Sequence, residues 1–277
     1  MKLGLVIPDF STPRGPERLS RELALVARTA DDAGFEYLAV TDRLFQLPES
    51  YTTLGYLAAC TSHAALLTVV TGTVYREPGL LGKIVTTLDV LSDGRAWLGI
   101  GAAWSEEESR GLGIPFPPLA ERFERLEETL QICQQMWHGD EHPYNGKHYR
   151  LERPLNSPQS LSRPHPPIMI GGGGEKKTLL LVAKYADACN LVADGDPARK
   201  LGVLRRHCEA VGRDYETIYK TAYYPVDTGK GTARIIDELG RLAELGFDAA
   251  IGSVTGVWDI TPLEVIGDEV IPVVADF

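Results

Sequence analysis

Four short stretches hold the residue types from which an active site could be built. In the first, Thr41, Asp42, Arg43, Leu44 and Phe45 follow an apolar run and set a carboxylate beside a guanidinium. Asp42 and Arg43 are the candidate catalytic residues, able to handle a proton and to bind a carbonyl oxygen or an anion. A purely structural ion pair is the competing reading. The second stretch, Thr71, Gly72, Thr73, Val74, Tyr75 and Arg76, puts glycine among hydroxyls. That suits close approach of backbone to a flat ligand, and equally a plain strand-to-loop bend.

The third stretch, Gly99, Ile100, Gly101, Ala102, Ala103 and Trp104, leaves room through small side chains and leads into Ser105, Glu106, Glu107 and Glu108. Ser105 with Glu108 three residues on is the pattern of a capping box, so these glutamates read first as the start of a helix. Gly99 and Gly101 match part of a dinucleotide fingerprint, but Trp104 stands where its third glycine belongs. The fourth stretch is Gly171, Gly172, Gly173, Gly174, Glu175, Lys176 and Lys177, ahead of a helical pattern. Successive glycines let amides turn toward an anion, and a helix start adds partial positive charge, so residues Gly172, Gly173, Gly174, Glu175 and Lys176 form the best phosphate-site candidate.

Other chemistries are poorly served. The six histidines repeat no metal-ligand spacing, and Pro143 separates His138 and His142 from a continuous helix, so no metal is expected. A Gly-x-Ser-x-Gly elbow is absent. The net charge of -10, with no basic cluster, argues against nucleic acid and anionic membrane as partners. Four widely spaced cysteines fit reduced thiols. The apolar run 3–7 ends at Pro8, too soon for a secretory signal, and no run approaches a membrane span, so a cytoplasmic protein is expected.

These stretches must be positioned by something, and the chain supplies an alternation. Apolar runs fit for buried strands lie at 3–8, 37–41, 67–73, 96–101, 168–171, 188–193, 218–226 and 249–254. Helical patterns separate them at 17–33, 52–63, 80–91, 119–137, 176–185, 197–211 and 233–245, with a short apolar tail after Pro262. Eight βα units closing into a (β/α)8 TIM barrel of the α/β class, as one domain over 1–277, is the simplest topology. Gly34 and Gly246, each followed by phenylalanine, are placed to end helices in the left-handed conformation. Residues 138–167, rich in Pro, Ser, His and Tyr, break the rhythm and read as an insertion between helix 4 and strand 5.

Five blocks, in order, carry a resemblance. They are 32–42 (DAGFEYLAVTD), Arg76-Glu77-Pro78 with Lys83, 87–95 (TLDVLSDGR), 98–104 (LGIGAAW) with Glu108, and 166–174 (PPIMIGGGG) with Ala186, Asp187 and Asn190. With them the chain resembles the luciferase-like oxidoreductases, especially the branch dependent on coenzyme F-420. The resemblance implies hydride transfer between F-420 and a small organic substrate, with FMN as the alternative cofactor of a two-component monooxygenase needing a separate reductase. It implies a ring at the barrel mouth near Thr41, Gly72, Thr73, Val74, Gly101, Ala102 and Ala103, with its phosphate near Gly172 to Lys176. It further implies a non-prolyl cis peptide near Gly72, Thr73 and Val74, and a homodimer.

Two positions depart from those relatives. Arg43 stands where many have histidine, and Trp104 where some dehydrogenases have a catalytic glutamate. A proton from substrate or water would replace theirs, and Arg43 is free to bind a substrate oxygen. Two other readings stay open: a non-catalytic flavin-binding barrel, and an unrelated phosphate-binding barrel such as an isomerase.

Overall fold

The apolar runs become buried strands that all point one way. A computed structural model describes residues 1–7, 15–45, 47–193 and 195–277. The first half comprises β1 (Lys2–Ile7), α1 (Leu19–Asp32), β2 (Tyr37–Val40), α2 (Ser50–Cys60), β3 (Ala65–Thr68), β4 (Thr71–Gly72), α3 (Pro78–Leu91), β5 (Leu98–Gly101), α4 (Glu106–Gly111) and α5 (Leu119–Trp137). The second comprises β6 (Tyr144–Asn145), β7 (Arg150–Leu151), β8 (Ile168–Gly171), α6 (Thr178–Tyr185), β9 (Ala188–Val192), α7 (Pro197–Val211), β10 (Tyr219–Tyr223), α8 (Thr232–Glu244), β11 (Ala249–Gly252), α9 (Thr261–Val265) and α10 (Ile271–Val274). Pro8, expected to close the first strand, lies outside the described residues.

Nine strands form one parallel sheet in the order β3, β2, β1, β11, β10, β9, β8, β5, β4. β3 and β4 are two pieces of the single strand expected at 67–73, separated by a cis peptide between Val69 and Val70. Both pieces face β5: Leu66 bridges Ala96, Thr71 pairs with Ile100 and Gly72 with Gly101. The sheet therefore closes on itself as a (β/α)8 barrel. The cis bond falls two residues before the position that the resemblance implied.

Strand alternation sorts side chains into two cores. Along β1, Leu3, Leu5 and Ile7 pack outward against helices while Val6 turns into the lumen with Leu67, Met169 and Ile251. Helix ends follow local chemistry. Gly34 (φ 88°) and Gly246 (φ 93°) are left-handed, and the amides of Phe35 and Phe247 bond back to Ala30 (3.0 Å) and Leu242 (3.1 Å). Each turn buries its phenylalanine at the root of the next strand.

Residues 138–167 lead from α5 to β8 and carry the β6–β7 hairpin, an element the sequence did not announce. Tyr144, Tyr149 and Leu151 pack on Ile132 and Met136 of α5. The fully buried Asp89 of α3 accepts from the amides of Leu161 (2.6 Å) and Ser162 (2.9 Å). The segment is a strap over the outer surfaces of α3 and α5 rather than a cover over the strand carboxyl ends. Among the described residues no helix is long and apolar enough to cross a membrane, and no group of three or more His, Cys, Asp or Glu is placed to hold a metal.

Candidate active site

All barrel strands deliver their carboxyl ends to one mouth, which is where barrel enzymes build their sites. At the end of β2, Asp42 and Arg43 turn away from each other. Asp42, 7% exposed, accepts from Ser50 Oγ (2.9 Å), Thr71 Oγ1 (2.8 Å) and Arg76 Nη1 (2.6 Å). Arg76 also bonds Glu49 and stacks 4.7 Å over the buried ring of Tyr51. Burial opposes the guanidinium's charge, but Asp42 and Glu49 outweigh it and raise its pKa further. Asp42 is thus saturated by partners, and its geometry is that of a residue that positions the loops after β2 and β4.

Arg43 pairs across the mouth with Glu108, through Nε (3.1 Å) and Nη2 (2.8 Å). The other carboxylate oxygen of Glu108 accepts from the Leu44 amide (2.8 Å). The capping box expected at Ser105 is half made: Ser105 Oγ accepts from the Glu108 amide (3.3 Å), while the Glu108 side chain, 5% exposed, serves the loop after β2. The guanidinium also lies 5.0 Å over the ring of Trp104. The structural ion pair weighed for Asp42 with Arg43 is replaced by two pairs with partners far away in sequence.

The floor of the mouth is built from absent side chains. A Cβ on Gly171 would lie 2.7 Å from Val70 Cγ1, and one on Gly101 would lie 3.0 Å from Val70 Cγ2. Val70 therefore packs over two strands that carry no side chain at these positions. Ala102 and Ala103 (φ 60°) are pinned by Arg122, which donates to both carbonyls. The space above Gly72 is filled by Tyr75 and Ala103, and the buried hydroxyl of Thr73 meets Thr129 Oγ1 (3.2 Å). Thr41 and Val74 are half-buried.

Beside this floor, residues 172–177 form a cradle in front of α6. Gly172 is left-handed (φ 117°), its amide held by Asn190 O (3.0 Å). From α7, Lys200 donates to Gly173 O, His207 Nε2 meets Glu175 O (2.7 Å), and Arg199 pairs with the Glu175 carboxylate (3.0 Å). In a trans peptide the following N–H points opposite to the carbonyl, so drawing these carbonyls toward α7 directs the amides of Gly174 and Lys176 outward. Among the described residues the amides of Gly173, Gly174 and Glu175 make no hydrogen bond within the chain. With exposed Lys176 and Lys177 alongside, this arrangement fits a phosphate.

Lys200, His207 and Arg199 were missed by sequence reasoning. The first and last of the α7 anchors, Arg199 and His207, are eight residues apart on one helix face, but nothing local says that this face meets the glycine loop.

A closed parallel barrel with paired charges and outward amides at its strand ends has the architecture on which (β/α)8-barrel enzymes are built. A family model described as luciferase-like monooxygenase matches residues 1–256. The F-420-dependent glucose-6-phosphate dehydrogenase of Kineococcus radiotolerans is 31% identical over 249 residues, covering 82% of this chain and 70% of that protein. The F-420-dependent hydroxymycolic acid dehydrogenase of Mycobacterium tuberculosis is 29% identical over 222 residues, covering 76% and 61%. The solved F-420-dependent tetrahydromethanopterin reductase of Methanopyrus kandleri superposes with a TM-score of 0.84 at 18% identity, over 98% of both chains. The chain belongs to the luciferase-like monooxygenase family, beside its F-420-dependent members, and is an oxidoreductase.

Proposed function

We propose that this enzyme transfers a hydride between coenzyme F-420 and a small organic substrate. The observation that carries the reading is the adjacency of a floor where Val70 lies over Gly101 and Gly171 to a cradle with outward amides at Gly174 and Lys176. The first suits a flat ring and the second its phosphate. The F-420-dependent curated relatives support the same choice.

The cofactor, when bound, supplies the hydride donor or acceptor. The chain's own residues bind and orient. Gly172 to Lys176 hold the phosphate, with Lys200 and His207 fixing the loop's carbonyls. Arg43 presents its guanidinium to a substrate oxygen, held at the required angle by Glu108. Asp42 keeps Arg76 and the neighbouring loops in place. His207 is engaged with Glu175 O in the cradle, and the proton is assigned to substrate or water.

Calorimetric titration of the purified protein with F-420 and with FMN tests the proposal. Micromolar or tighter F-420 binding with weaker FMN binding is expected. Tight FMN binding with no measurable F-420 affinity would overturn it and point to an FMN-dependent monooxygenase served by a separate reductase.

A further inference from the structure

The side of the mouth away from the phosphate cradle has its own character. Trp104 is 70% exposed, yet one face of its ring rests on the Arg43 guanidinium. That guanidinium is locked by two bonds to Glu108, and Glu108 is locked by the Leu44 amide. An exposed indole is thus held still, with its other face open. Phe45, 49% exposed, continues the apolar rim, packed so closely on Gly111 that a Cβ there would lie 2.2 Å from its ring.

The charges on this side cancel. Arg43 faces Glu108, Arg76 faces Asp42 and Glu49, and Arg122 is spent on the carbonyls of Ala102 and Ala103 and on the ring of Phe116 at 4.1 Å. The exposed lysines 176 and 177 belong to the cradle. A second phosphate or a carboxylate entering here would meet only cations already engaged by protein acceptors, and would gain little attraction to offset its desolvation. Arg43 Nη1 makes no bond among the described residues and can still donate to a neutral oxygen.

We propose that the substrate is a neutral compound with an aromatic or extended planar group, which stacks on the open face of Trp104. This rests on the proposed function, since it assumes that the cofactor fills the floor and cradle. It excludes sugar phosphates and other anions as the preferred substrates. Trp104 follows directly on Ala103 just beyond the carboxyl end of β5, at the barrel mouth, which favours a small-molecule occupant over a second copy of the chain.

The test measures binding, by equilibrium dialysis and tryptophan emission, to the full chain with and without F-420. The probes are 4-phenyl-3-buten-2-one, cinnamate and glucose 6-phosphate. The wild type is expected to bind the enone at least tenfold tighter than either anion. Trp104→Ala should lose at least tenfold for the enone and Trp104→Phe less than threefold, with melting temperature and F-420 affinity unchanged in both. Glu108→Gln, which leaves the charge of Arg43 uncompensated, should narrow the gap between cinnamate and enone at least fivefold. Preference for glucose 6-phosphate, or unchanged enone affinity in Trp104→Ala, would overturn the proposal. So would conversion of a dimer to a monomer by Trp104→Ala in sedimentation velocity, since a second copy would then cover the ring. A wild type that ignores F-420 but ranks the probes as expected would instead sink the cofactor assignment.

Discussion

Replacing Asp42 by alanine should unfold the protein at a markedly lower temperature, because it strands a buried guanidinium. The Asp42 side chain is 2% exposed and that of Arg76 10%, with 2.6 Å between their charged atoms. Removing one partner of a buried pair costs about 3 to 5 kcal/mol, since the other charge stays desolvated. Glu49 still touches Arg76, but it is 48% exposed and compensates only in part, which places the expectation near the lower bound, about 3 kcal/mol. At about 2 to 4 °C per kcal/mol for chains of this size, the midpoint should fall by roughly 6 to 12 °C. Circular dichroism melts at neutral pH and a fixed scan rate measure it. Asp42→Asn should fall less, because its amide oxygen still accepts from one of Ser50 and Thr71, which bond different oxygens of the carboxylate. Adding Arg76→Met to Asp42→Ala should recover part of the loss by removing the stranded charge. A midpoint for Asp42→Ala within about 2 °C of wild type would refute the reasoning, and Asp42 would be available for chemistry.

Further outcomes follow from single contacts. A Cβ on Gly99 would sit 1.8 Å from Thr68 O, with no flexible side chain to yield, so Gly99→Ala should abolish the near-ultraviolet dichroism of soluble protein; a normally melting variant would contradict the barrel packing. Gly171→Ala presses on Val70 and should cost about 1 to 3 kcal/mol, relieved by adding Val70→Ala, with paired melts as the check. Lys200→Met should weaken binding of a phosphorylated cofactor by roughly tenfold and flatten its salt dependence; an unchanged affinity would remove Lys200 from the cradle. Burial alone would raise the pKa of Asp31, but the amides of Ser62, Ala64 and His63 outweigh it and hold the pKa below the usual carboxylate value. The resulting stability is present above about pH 4 and is lost as pH falls toward the folded pKa. Asp31→Asn should therefore melt lower than wild type at pH 7, and the gap should close below about pH 4; a gap independent of pH would contradict this.

The barrel was legible because its signal is distributed. Burial on both faces makes each strand a continuous apolar run, and Gly34 and Gly246 announce their turns through a conformation that other residues avoid. The break between β3 and β4 was not legible. Thr68, Val69, Val70 and Thr71 read as uninterrupted β-formers, and the turn of Val70 over Gly101 and Gly171 depends on two strands far away in sequence. The hairpin at 144–151 is equally hidden, because two paired residues per strand leave no alternation to detect. The glycine cradle could be located from its own sequence, but its anchors on α7 could not.

The partners of Asp42 and Arg43 show why site residues resist local reading. Adjacent in sequence, the two engage opposite neighbours: Asp42 ties the loop after β2 to Arg76 after β4, and Arg43 ties it to Glu108 in α4. One dipeptide thereby fixes the strand-2 loop against both loops that flank the Trp104 side of the mouth. Orientation held by buried pairs costs no reorganisation when substrate arrives, which is what the proposed hydride transfer would require of the mouth. A sequence in which acid and base stand side by side invites pairing them with each other. The fold instead uses each to bind a different neighbour, and the same cross-links that stiffen the mouth leave its substrate side without net charge.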